Sequence, residues 1–87
     1  MNKKKRGAEV EVVLPESFDD VIDLIERLKL REGVIVDFEG IPPHLSQRML
    51  DFLSGAVFAL GGSINRIKKK TYILVPRGVR IKTVAVR

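Results

Sequence analysis

The apolar and polar positions divide the chain into segments of two periods. Ala8 to Leu14 (AEVEVVL) alternates, with Val10, Val12 and Leu14 on one side and Glu9, Glu11 and Val13 on the other. That is the pattern of a half-buried strand, with Pro15 ending it. Ser17 then stands as a helix N-cap, with Asp20 at the capping-box position and Asp19 in the first turn. Phe18, Val21, Ile22, Ile25 and Leu28 form one stripe of this helix, Asp23, Glu26, Arg27 and Lys29 face water, and Glu32-Gly33 closes it. Val34 to Phe38 (VIVDF) is a short, continuous apolar run rich in β-branched residues, as in a central strand covered on both faces. Strand, helix and strand in this order make a right-handed parallel crossover.

Ile41-Pro42-Pro43 opens a second helix, which runs to about Leu60 and is closed by Gly61-Gly62. Leu45, Met49, Phe52, Ala56 and Leu60 form one stripe, which Leu50, Leu53 and Val57 widen. Ser54, Gly55, Phe58 and Ala59 lie away from its centre. From Phe52 to Leu60 the helix is therefore apolar nearly all round, with small residues where a surface helix carries Lys or Glu. A helix of that kind needs cover on both sides. One small sheet covers one side, so a second chain is expected on the other. Gly55 costs a helix interior about 1 kcal/mol relative to Ala. Close approach of another backbone explains it, either from the first helix of the same chain or from a partner protomer.

Gly62 to Ile67 starts a third strand, Lys68-Lys69-Lys70 turns it, and Thr71 to Val75 (TYILV) returns. After Pro76-Arg77-Gly78, Val79, Ile81 and Thr83 alternate with Arg80, Lys82 and Val84, which predicts a last strand reaching Arg87. The expected architecture is a two-layer α/β sandwich, β-α-β-α-β-β-β, with two helices on one face of a mixed sheet of about five strands, forming a dimer. Tyr72, Leu74 and Val13 are expected on the sheet's uncovered face. Residues 1–7 read as a flexible basic arm and residues 8–87 as one core domain.

Charge sharpens this picture. The formal net charge is +5, but all 11 acidic residues lie at or before Asp51. Beyond Phe52 come only bases: Arg66, Lys68, Lys69, Lys70, Arg77, Arg80, Lys82 and Arg87. Such a surface suits an acidic peptide, nucleic acid or anionic lipid, or simply keeps a small domain soluble. With no Cys and one His, thiol chemistry, disulfides and multi-His metal sites are excluded. Asp19, Asp20 and Asp23 make no oxygen cage at their helical spacing. Asp37, alone at a strand end, and His44, at a helix start, have no catalytic partner in the pattern. No metal, cofactor or enzymatic activity is expected. The chemistry on offer is docking, and a small basic nucleic-acid-binding domain is the rival reading. The few aromatic residues argue against base stacking, so no nucleic acid is expected.

The run DFLSGAVFALGGSINRI from Asp51 to Ile67, followed by YILVP from Tyr72 to Pro76, resembles the SepF cell-division family. The upstream GVIVDFEGIPPHLSQRMLDF is similar to the same family's strand, loop and helix entry, and the likeness is greatest to its archaeal, SepF-like branch. The resemblance implies a homodimeric α/β sandwich that binds the C-terminal tail of FtsZ. Its members tether the FtsZ ring to the membrane through an N-terminal amphipathic helix, and many polymerise further. It implies no cofactor and a cytoplasmic location at the division site, on the inner face of the membrane. It places the tail pocket at Tyr72 and Arg66, with Phe58 and Lys68 as neighbours, and the dimer interface at Gly55, Ala59, Phe52 and Ala56.

Two features depart from the family pattern. Met1 to Arg6 has no apolar face for an amphipathic helix, so membrane attachment is expected through a segment these residues do not contain. Lys68 to Lys70 fill a turn in which bacterial members often carry Gly, which weighs against bacterial-style polymers.

Overall fold

A computed structural model describes residues 10–86; residues 1–7, the expected basic arm, lie outside the described residues. The elements are β1 (Glu11–Val13), α1 (Asp19–Lys29), β2 (Val34–Asp37), α2 (Pro43–Ala59), β3 (Ser63–Lys68) and β4 (Thr71–Val75). Among the described residues the sheet is mixed and has four strands in the order β1-β2-β4-β3. β1 pairs parallel with β2, while β4 runs antiparallel to both β2 and β3.

The expected fifth strand is not formed. Residues 79–86 take no strand structure, and Val79, Val84 and Val86 are exposed. Both sides of β4 are already occupied, by β2 and β3. The chain leaving the Pro76–Gly78 turn therefore has no free edge beside it. Alternation makes a segment fit for pairing, but pairing itself is non-local.

The register decides which side chains meet the helices. Val13, Val36 and Tyr72 share one row, and Glu11, Val34, Leu74 and Ile64 the next. These rows belong to the face that packs on α1 and α2, where Val34, Val36 and Leu74 are buried. The opposite face carries the row Val12, Ile35, Ile73 and Asn65. The sequence-based faces are thus inverted. Leu74 is fully buried, Tyr72 and Val13 lie half-buried against the core, and Val10, Val12 and Leu14 are exposed. Period two says which residues share a face but not which face the helices cover, and these strands are apolar on both.

Each helix is rotated from its expected stripe. α1 buries Val21, Leu24 and Leu28, while Ile22 is exposed. Leu24 thus takes the place in the stripe expected of Ile22, because α1 points its centre at the sheet and leaves one edge open. The start of α1 is half of a capping box. The Asp20 carboxylate accepts hydrogen bonds from the Glu16 and Ser17 N–H groups at 2.7 and 3.2 Å, but no side chain caps the helix in return. Arg27 of α1 forms an ion pair with Glu11 of β1, tying the helix to the outer strand. α2 buries Met49, Leu53 and Val57 in the same core, so that Leu53 and Val57, not Phe52 and Ala56, hold the centre of its stripe and Phe52 is exposed.

Both helices end in the same way. In α1 the Arg31 N–H bonds the Leu28 carbonyl at 2.9 Å and the Glu32 N–H bonds that of Arg27 at 3.0 Å. In α2 the Gly61 and Gly62 N–H groups bond Phe58 and Val57 at 3.0 Å each. This is the Schellman closure, which requires a left-handed residue just past the cap. Gly61 supplies it at φ 79° without cost, whereas α1 uses Arg31 at φ 68°.

Two predictions follow from these termini. Arg31→Gly is expected to raise stability by up to about 1 kcal/mol in urea unfolding, because it removes a side chain from left-handed backbone. Gly62→Ala is expected to lower stability by about 1–3 kcal/mol, since its Cβ would run into the Val75 carbonyl oxygen.

Candidate functional site

The β3–β4 hairpin carries Arg66, Lys68, Lys69 and Lys70 and no acidic residue. Its tip is tight. Lys70 takes φ 68°, and the ladder slips between Arg66 and Lys68, so that Lys68 stands opposite Thr71. The three lysines are accommodated at a position that favours Gly because the tip is anchored to the β2–α2 connection. The Phe38 N–H donates to the Lys70 carbonyl at 2.8 Å, and Lys70 Nζ reaches the Ile41 carbonyl at 3.4 Å.

Arg66 and Tyr72 are directly opposed across β3 and β4, on the helix-facing side of the sheet. Arg66 is exposed and Tyr72 is half-buried. The Tyr72 ring meets Phe38 edge-on, with centroids 5.9 Å apart. Tyr72 therefore has a packing role as well as an accessible edge. β3, like β1, is an edge strand, with one side unpaired among the described residues. Its exposed Asn65, Arg66, Ile67 and Lys68 line that side, and bases there oppose indiscriminate strand pairing. Phe58, the fourth expected pocket residue, projects into water from the last turn of α2 and is 86% exposed.

Among the described residues nothing covers the outer face of α2, whose composition is apolar. Gly55 and Ala59 are exposed, Ala56 is half-buried, and Phe52 is partly exposed beside Phe18, with ring centroids 5.5 Å apart. A Cβ on Gly55 would meet nothing within 4 Å. Of the two explanations for this glycine, close packing on its own chain is ruled out within the described residues.

The carboxylate at the end of β2 has a local task, since Asp37 Oδ1 accepts the Glu39 N–H at 2.9 Å and shapes the loop. His44 is exposed in the first turn of α2. No helix among the described residues is long and apolar enough to cross a membrane. The sequence reading missed the row Val12, Ile35 and Ile73 as the outward face, for the register reason given above.

Comparison with known proteins fits this geometry. A family model described as "Cell division protein SepF" matches residues 10–81. A cell division protein SepF from Clostridium botulinum is 38% identical over 75 residues, covering 86% of this chain and 50% of that protein. One from Syntrophomonas wolfei is 42% identical over 72 residues, covering 83% and 51%. The chain thus spans about half the length of these relatives. Among solved structures, the SepF-like protein from Archaeoglobus fulgidus superposes with a TM-score of 0.78 at 18% identity, covering 90% of this chain and 96% of that one. The SepF-like protein from Pyrococcus furiosus gives 0.74 at 20% identity, covering 85% and 93%. These two share the fold. With the family pattern matched over nearly all of the described residues, the chain belongs to the SepF family of cell-division proteins, which is not an enzyme family.

Proposed function

We propose that this chain is the folded core of a division adaptor that grips the C-terminal tail of FtsZ and helps hold the FtsZ ring at the inner face of the cell membrane. Family membership supports the reading. The observation that carries it is the pairing of Arg66 with Tyr72 on an outer hairpin of bases without acids. A short amphipathic peptide needs an apolar anchor and one or two charge-assisted hydrogen bonds. Tyr72 and Arg66 offer both side by side, with Lys68 next along β3 and Phe58 as an exposed aromatic on α2. The working unit is a homodimer in which a second copy covers Gly55, Ala59, Phe52 and Ala56. Attachment to the membrane runs through residues N-terminal to the folded domain.

Calorimetry with an FtsZ tail peptide tests the site. Micromolar or tighter binding is expected, weakened roughly tenfold or more by Arg66→Ala. Tyr72→Phe keeps the Phe38 contact and so separates the hydroxyl's role from folding. A protein that gives no heat with the peptide at tens of micromolar is not this adaptor.

Sedimentation equilibrium tests the dimer. The native chain is expected to be dimeric and Gly55→Arg monomeric. The variant should still fold, since Arg suits a helix better than Gly by about 0.8 kcal/mol and position 55 is open within the chain. A monomeric native protein would remove the α2 interface from the proposal.

A further inference from the structure

The topology gathers several features at one end of the domain. Both helices finish there, β2 and β3 begin there, and β4 ends there, with Glu11 opposite Val34, Val34 opposite Leu74, and Ser63 opposite Val75. A hollow of about 230 Å³ opens at this end, lined by Leu28, Lys29, Arg31, Leu60 and Arg77. Three of these are bases, two are leucines, and none is acidic.

Two exposed arginines lie against glycine backbone beside the hollow. The Arg77 guanidinium lies flat against Gly61, with Nε 2.8 Å from where a Cβ would stand. Arg31 reaches the turn that follows Arg77, its terminal nitrogen 3.6 Å from the equivalent point on Gly78. Helix dipoles account for a base near a C-terminus. They account for Lys29, which also bonds Glu26 at 3.3 Å. They favour a base at Arg31 too, but not at the cost of the left-handed backbone there, a position that glycine fills more cheaply and that Gly61 fills at the end of α2.

Two chain neighbours of the lining arginines are exposed aliphatic residues: Leu30, beside Arg31, at 67%, and Val79, two residues past Arg77, at 47%. Exposed aliphatic side chains interleaved with bases suit a lipid headgroup boundary. No aromatic residue lines the hollow, so it lacks the stacking platform that single-stranded nucleic acid requires.

We infer that this end of the domain is a membrane-facing surface, where Arg31 and Arg77 hold the phosphate of an anionic phospholipid and Leu30 and Val79 meet the headgroup boundary. The inference rests on the tethering part of the proposed function and adds a contact made by the folded domain itself. It is separate from the peptide site.

Co-sedimentation of the full chain with phosphatidylcholine vesicles, with and without phosphatidylglycerol, tests it. Binding is expected only with phosphatidylglycerol. Arg31→Gly and Arg77→Ala should each weaken it about fivefold, whereas Arg48→Ala, an exposed base on α2, should leave it unchanged. Arg31→Gly is expected to be at least as stable as the native chain, and urea unfolding of the variant separates loss of binding from loss of fold. Leu30→Ser should weaken vesicle binding while leaving unchanged the Gly61 and Gly78 amide shifts caused by inorganic phosphate. Equal losses for all three arginine variants, or no loss for Arg31→Gly and Arg77→Ala, overturn the inference. Phosphate-induced shifts without vesicle binding reassign the hollow to a free anion and overturn the membrane assignment. FtsZ-peptide affinity should be unchanged in both variants, so failure at the membrane and failure at the hairpin are read separately.

Discussion

The seam between α2 and the sheet carries the structure. Met49, Leu53 and Val57 bury themselves completely, or nearly so, in the cluster that holds Val36 and Leu74, and Val21, Leu24 and Leu28 of α1 join it from the side. A chain of this size builds one core between two layers. Each helix and each strand therefore has one covered side and one side facing outward. What this molecule offers to a partner lies on the outer side of α2, along the hairpin at the sheet's edge and at the end where the helices close, and the chemistry differs sharply from place to place.

The outer side of α2 is apolar and finely contoured, with Gly55 and Ala59 exposed between Phe52 and Phe58. The hairpin is basic and ends in a free strand side. The end where the helices close combines arginines with exposed aliphatic residues. Three surfaces of different character, placed on different parts of a rigid two-layer frame, suit a protein that joins partners.

Both helices close with the same hydrogen-bond motif, yet one uses glycine and the other arginine. The hairpin likewise places Lys70 in left-handed backbone. Two basic side chains thus sit where glycine would be more stable. Strained positions tend to collect where a side chain is needed for something other than folding. At Lys70 the hydrogen bonds to the β2–α2 connection supply a structural reason. At Arg31 the structure supplies a neighbour of like charge, Arg77, across a hollow without acids.

Much of this was legible in the residues. The α2 limits follow from Pro43 and Gly61, the crossover from the order of the segments, and the hairpin from its lysine turn, because capping, proline and turn chemistry act over a few residues. The surplus of apolar surface on α2 was legible too, since helical period and composition are local. The opposition of Arg66 and Tyr72 depended on hairpin register, which a short turn nearly dictates. Other features were decided only in three dimensions. Which side of β1 and β4 faces the helices depended on how a two-faced apolar strand docks. Whether Val79 to Val86 forms a strand depended on a free neighbouring edge, and the sheet order leaves β4 none. The meeting of Arg31 with Arg77 joins residues far apart in the chain, brought together because both helices run back to the end where β4 finishes. Local chemistry determines the elements, but pairing, facing and convergence are properties of the packed whole.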